Sequence, residues 1–112
     1  MADAPTMKSV TDFAAAGDFE KKHTPFITLA PAGDMTTVSV EVGHEVPHPN
    51  EMGHYITFIE LYAGMTPIAR FDLTPEVVWP RVSVAVALPA GTLLRAVAHC
   101  NLHGWWASEA ML

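Results

Sequence analysis

The chain has 112 residues, half of them hydrophobic, with twelve acidic and six basic side chains and a formal net charge of −6. A chain of that length makes one domain with a core of its own, and the apolar content excludes a disordered polymer. No basic tract offers a footprint for nucleic acid or for an anionic membrane surface, and no apolar run is long enough to span a bilayer.

Residues 1–24 are mixed and polar, and Ser9 to Ala16 reads as one or two helical turns stopped by Gly17. The strand signal begins at Pro25, with Phe26 to Leu29 short and apolar and Pro31-Ala32-Gly33-Asp34 reading as a turn. From Met35 to Gly43, Val38, Val40 and Val42 alternate with Thr37, Ser39 and Glu41, so one face packs and the other is wet. Residues 44–53 hold two prolines, Asn50 and Gly53, and read as a loop. Tyr55 to Tyr62 is rich in aromatic and β-branched residues and reads as a strand. Ile68 to Leu73 and Arg81 to Leu88 alternate again, Pro89-Ala90-Gly91 turns the chain, and Thr92 to His99 and Ala107 to Leu112 complete the set.

About seven short strands with Pro/Gly turns and no long helical pattern point to two antiparallel sheets packed face to face. The expected fold is all-β, an immunoglobulin-like sandwich over residues 25–112 preceded by an N-terminal segment, 1–24, within a single domain; a small closed barrel is the alternative. One cysteine cannot form an internal disulfide, and no stretch near the N-terminus has the apolar character of a signal peptide, so the cytoplasm is the expected compartment.

Four histidines and the only cysteine fall in three short segments: Lys22-His23-Thr24-Pro25, His48-Pro49-Asn50-Glu51-Met52-Gly53-His54, and Cys100-Asn101-Leu102-His103-Gly104-Trp105. Each candidate sits at a strand end or in a loop, where the ends of a sandwich can converge. A thiolate among imidazoles favours a transition metal over calcium or magnesium. Such a set suggests redox chemistry on a small molecule. Two residues between Cys100 and His103 allow a short-range chelate, Gly104 allows a tight turn behind it, and Trp105 and Trp106 could shield the sulfur from solvent. Pro47 and Pro49 stiffen the backbone around His48. His44 and His99 read as structural, and His99 should face away from Cys100 if both stay in one strand.

These segments resemble the superoxide reductase family, in the one-iron form of neelaredoxin and the iron domain of desulfoferrodoxin. The resemblance runs from Gly17-Asp18-Phe19-Glu20-Lys21-Lys22-His23-Thr24-Pro25 through Pro47-His48-Pro49-Asn50, His54-Tyr55-Ile56 and Ile59-Glu60-Leu61-Tyr62 to Cys100-Asn101-Leu102-His103-Gly104-Trp105. The stretch from Gly64 to Pro80 matches poorly. The resemblance implies one iron per chain, bound by His23, His48, His54 and His103 as equatorial ligands and by Cys100 as the axial thiolate. It implies one-electron reduction of superoxide to hydrogen peroxide, with Lys22 drawing in the anion and helping to order water. It further implies an external electron donor such as rubredoxin and a dimeric or tetrameric assembly. One departure stands out. Many family members carry a glutamate two residues before the first histidine, as a sixth ligand to ferric iron; here Lys21 holds that position and Glu20 lies one residue earlier.

Two rival readings make different predictions. In a blue-copper electron carrier, Cys100, His103 and Met111 with one upstream histidine would form the copper site. A non-enzymatic partner-binding sandwich would expose an apolar patch built on Trp79, Trp105 and Trp106. A hydrolytic zinc site fits less well, because five protein ligands crowd an ion that prefers four.

Overall fold

Strand pairing divides the chain into two sheets. The computed structural model describes residues 7–112. Its elements are β1 (Met7–Ser9), α1 (Asp18–His23), β2 (Pro25–Ala32), β3 (Met35–Val42), β4 (Ile56–Ala63), β5 (Thr66–Asp72), β6 (Arg81–Val86), β7 (Leu93–Cys100) and β8 (Gly104–Met111). A five-stranded sheet runs β1-β8-β7-β4-β5 and a three-stranded sheet runs β2-β3-β6. Their inner faces meet in one core, where Val38, Val40 and Val42 from β3 pack against Ile59 and Leu61 from β4 and Leu94, Ala96 and Ala98 from β7. The alternation read in Met35 to Gly43 is thus the inward face of β3. The architecture is the expected immunoglobulin-like sandwich, with two open sheets rather than a closed barrel.

Several boundaries differ from the sequence reading. Ser9 to Ala16 is not helical: Ser9 closes β1, Phe13–Ala15 is a turn, and the Asp12 carboxylate accepts a hydrogen bond from the Ala15 backbone N–H at 3.4 Å. Gly17 starts a helix instead of stopping one, serving as the extended N-cap of α1. Asp18 and Glu20 lie in the first turn of that helix and Lys21, Lys22 and His23 in the last, the order that complements the helix dipole. Pro31 and Ala32 belong to β2, because the hairpin tightens to Gly33-Asp34 and Ala32 pairs with Met35. β8 starts at Gly104, three residues earlier than expected, and β1 pairs with it in parallel, the one exception to antiparallel pairing among the described strands.

Two irregularities place the residues of interest. Cys100 pairs with Gly104 across a three-residue turn, and Gly104 has φ +79°, which a β-carbon would strain. Opposite this turn the β4–β7 register shifts between Ile56 and Phe58, leaving Thr57 as an extra residue. Such a bulge bends the strand and re-aims its neighbours; here it sets Ile56 directly across from Cys100.

Candidate metal centre

His23 is the last residue of α1 and is almost fully buried, at 1% exposure. Thr24 ends the helix by donating to the Glu20 carbonyl from its backbone N–H at 2.9 Å and from its hydroxyl at 2.6 Å, and Pro25 then opens β2. One helical turn back, the Phe19 carbonyl accepts from His23 Nδ1–H at 2.8 Å. His48 is likewise buried, and its Nδ1–H donates to the Pro49 carbonyl at 2.6 Å. His54 closes a four-residue turn, in which its backbone exchanges two 3.0 Å hydrogen bonds with Glu51. Cys100 ends β7 with no exposed surface.

These four side chains meet. One ligand atom from each of His23, His48, His54 and Cys100 lies within 4.8 Å of every other. The Nε2 atoms of all three histidines are buried and have no hydrogen-bond partner. An orphaned buried polar atom is costly, and three of them beside one sulfur form a donor set suited to a cation. The Nδ1–H bonds to backbone carbonyls fix the tautomer of His23 and His48, so each presents a lone pair at Nε2, the arrangement that second-shell carbonyls impose on metal-bound imidazoles. No carboxylate belongs to the group, and its mixture of sulfur and imidazole suits a transition metal. The residues present fit such an ion.

Electrostatics favour the neutral, ligating form. Burial pushes the pKa of His23 and of His48 down to about 4, and it lowers that of His54 as well. Mutual repulsion among the imidazolium forms adds to this, and the Lys22 ammonium contributes a smaller push at all three. Lys22 itself is half-buried on α1.

His103 stands beside the group without being one of the four. It lies in the turn after Cys100, half-buried, with its ring centroid 5.0 Å from that of His23 and 5.2 Å from that of His54. Phe19 packs edge-on against it at 5.1 Å. The two tryptophans divide. Trp106 is buried and lies over His23, whereas Trp105 turns to the opposite sheet face and packs against His99. His99 faces away from Cys100, as expected, and stacks on Phe58. His44 pairs with Glu41 at 2.8 Å and stacks on Phe26, and it is not one of the group. Lys21 pairs with Glu45 at 2.9 Å, and the Glu20 carboxylate folds back against Gly17 at the start of α1. Neither occupies the group.

Met111 pairs with Leu93 at the far end of the β7–β8 hairpin, while Cys100 pairs with Gly104 at the near end. That separation is about 23 Å at strand spacing, so the Cys-His-Met copper cluster does not form. The indoles do not build one patch either, since Trp105 and Trp106 occupy opposite faces. Sequence reasoning missed Asn101, which ties the Cys100 turn to the loop of His54.

The desulfoferrodoxin family profile matches residues 15–109. A relative from Methanocaldococcus jannaschii is 43% identical over 99 residues, covering 82% of this chain and 83% of its own length. The superoxide reductase of Pyrococcus horikoshii is 36% identical over 107 residues, covering 87% of this chain and 93% of its own. Among solved structures, the superoxide reductase from Nanoarchaeum equitans superposes with a TM-score of 0.79 at 29% identity, covering 96% of this chain and all of that one.

Proposed function

The chain belongs to the desulfoferrodoxin family, and we propose that it is a superoxide reductase, an oxidoreductase that converts superoxide to hydrogen peroxide. The observation that carries this reading is the convergence of three orphaned imidazole Nε2 atoms on the buried Cys100 sulfur. His23, His48, His54 and Cys100 would hold one iron ion per chain, and His103, whose ring stands at their edge, would complete the set. A bound iron ion would supply the single electron that superoxide accepts, cycling between ferrous and ferric states.

The protein residues do the rest. Cys100, enclosed in the core, would hold the iron as a thiolate ligand, a donor type that supplies electron density to a bound metal. The imidazoles of His23, His48 and His54, which burial holds below the usual histidine range, would bind without competing protons at neutral pH. Lys22 offsets an unfavourable overall charge of −6 by presenting a cation beside the histidines to an incoming anion. It also orders the water through which two protons reach the product. Since neither Glu20 nor Lys21 lies in the group, no glutamate is assigned as a sixth ligand.

One electron per superoxide must return from outside, from a small donor such as rubredoxin, and the chain works as a dimer or tetramer in the cytoplasm. No helix among the described residues is long and apolar enough to cross a membrane.

Metal analysis combined with stopped-flow absorption tests the reading. The reduced, anaerobic protein should carry about one iron per chain, oxidised in step with peroxide release when superoxide is mixed in. Copper with an intense blue band would support an electron carrier, and a protein that takes up no metal on iron reconstitution would be a binding module.

A further inference from the structure

Asn101 follows Cys100 directly and reaches across to the residues on either side of His54. Its Oδ1 accepts from the Tyr55 backbone N–H at 2.9 Å, and its Nδ2–H donates to the Gly53 carbonyl at 2.9 Å. A third bond, from the Asn101 backbone N–H to the Tyr55 carbonyl at 3.2 Å, lies alongside. Both ends of one amide are therefore spent on the two peptide groups that flank a single histidine. No other side chain in the Cys100 turn bonds to the His54 loop among the described residues.

The need for such a tie is visible in the backbone. His54 lies outside every regular strand, held by its two bonds to Glu51, and its Nδ1, unlike those of His23 and His48, meets no carbonyl among the described residues. β4 begins only at Ile56, and the bulge at Thr57 interrupts the ladder that would otherwise register β4 on β7. Without the side-chain amide, the Ile56–Cys100 pair and the single bond from the Asn101 backbone N–H to the Tyr55 carbonyl would be left to align the loop with the turn among the described residues.

We infer that Asn101 is a positioning residue that sets the location of His54 relative to Cys100 through backbone atoms alone, without touching the ion. The inference rests on the metal-centre reading above and names the element that holds two of its ligands in register. An amide does this better than other side chains because donor and acceptor are both required, one for each flank of His54. Aspartate keeps the acceptor for Tyr55 N–H and loses the donor for Gly53. Alanine loses both.

The experiment uses the metal-free full chain, with cobalt(II) alone as the probe. Parent, Asn101→Ala and Asn101→Asp are titrated with cobalt while the thiolate charge-transfer and d–d absorption bands are read, and hydrogen exchange of the Tyr55 amide is followed in parallel. Expected is a loss of cobalt affinity of about 10- to 100-fold in N101A, with shifted d–d bands and fast Tyr55 exchange. N101D should protect Tyr55 again but recover only part of the affinity. If N101A fails to fold, the N101D comparison carries the test, and reduced affinity with Tyr55 protected is the expected result. Parental affinity and unchanged bands in a folded variant whose Tyr55 or Gly53 bond is lost would overturn the inference alone. A parent that shows no thiolate–cobalt band would overturn the metal-centre reading, and this inference with it.

Discussion

The indole of Trp106 lies nearly parallel to the imidazole of His23, with centroids 4.9 Å apart and planes 19° from each other, while its Nε1–H donates to the His103 carbonyl at 3.2 Å. One side chain thus braces the end of α1 and the turn after β7. Trp106→Phe keeps an aromatic surface but shrinks it and leaves that carbonyl with the Lys8 ammonium as its remaining donor. It should lower stability by about 1–3 kcal/mol. Metal addition should perturb the fluorescence of the parent protein through this stack, and the perturbation should be smaller in W106F.

Cys100→Ala removes the one sulfur from the group while leaving a small void in a core that otherwise stays intact. The sandwich should remain folded, at a cost of about 1–2 kcal/mol. The thiolate charge-transfer band of the iron-loaded protein should vanish and superoxide turnover should fall sharply; absorption spectra and stopped-flow traces of the same sample check both.

Lys22→Ala acts on the approach of the substrate, not on the donor set. Iron content should be unchanged, whereas the second-order rate with superoxide at low ionic strength should drop about three- to tenfold. The gap should narrow as salt rises and screens the lysine in the parent. A K22A protein that reacts normally at low ionic strength would show that the electrostatic role is wrong.

Protonation of the buried histidines gives the metal-free protein a defined pH dependence. In the unfolded chain a histidine takes up its proton near pH 6.5, but burial holds His23 and His48 near pH 4 in the native state. Between those values the unfolded chain binds more protons. Native stability is therefore full above about pH 6.5, declines as the pH falls, and stops changing on account of these groups below about pH 4. Urea unfolding of metal-free protein should show a lower midpoint at pH 4.5 than at pH 7, and His48→Gln should flatten that slope.

Gly43 leaves β3 with φ +90°, and a β-carbon there would collide with the backbone N of His48 and approach the Pro47 carbonyl carbon to 3.2 Å. Gly43→Ala combines an unfavourable left-handed backbone with that clash. It should destabilise the fold by about 2 kcal/mol or more and displace His48, so denaturant midpoint and metal affinity should fall together.

The alternation of Val38, Val40 and Val42, the turn at Gly33-Asp34 and the breaks around residues 44–53 are local patterns, and local patterns declare a sandwich. Four of the five side chains singled out as ligands converge, and their segments were legible for the same reason: His23, His48, His54 and Cys100 each stand beside a proline, a glycine or a strand end. What escaped was decided at long range or in too few residues. α1 is six residues long, too short for a helical period, and Gly17 reads equally as stop or start until the charges after it are weighed. β1 has three residues and exists through its pairing with Trp105, Trp106 and Ala107. Asn101 makes its bonds 46 and 48 positions away, and nothing in its neighbours announces them.

The four converging side chains come from the end of a helix, from a loop that bridges the two sheets, and from the last residue of a central strand. An ion held among them would act as a cross-link between segments that otherwise meet through apolar packing and the few hydrogen bonds of Asn101. It would bind the native chain and not the unfolded one, so stability would rise with free metal, by about 2.7 kcal/mol at a hundredfold excess over the dissociation constant. Metal starvation would then shorten the lifetime of the protein as well as silence it, and the cellular abundance of the chain would report on iron supply.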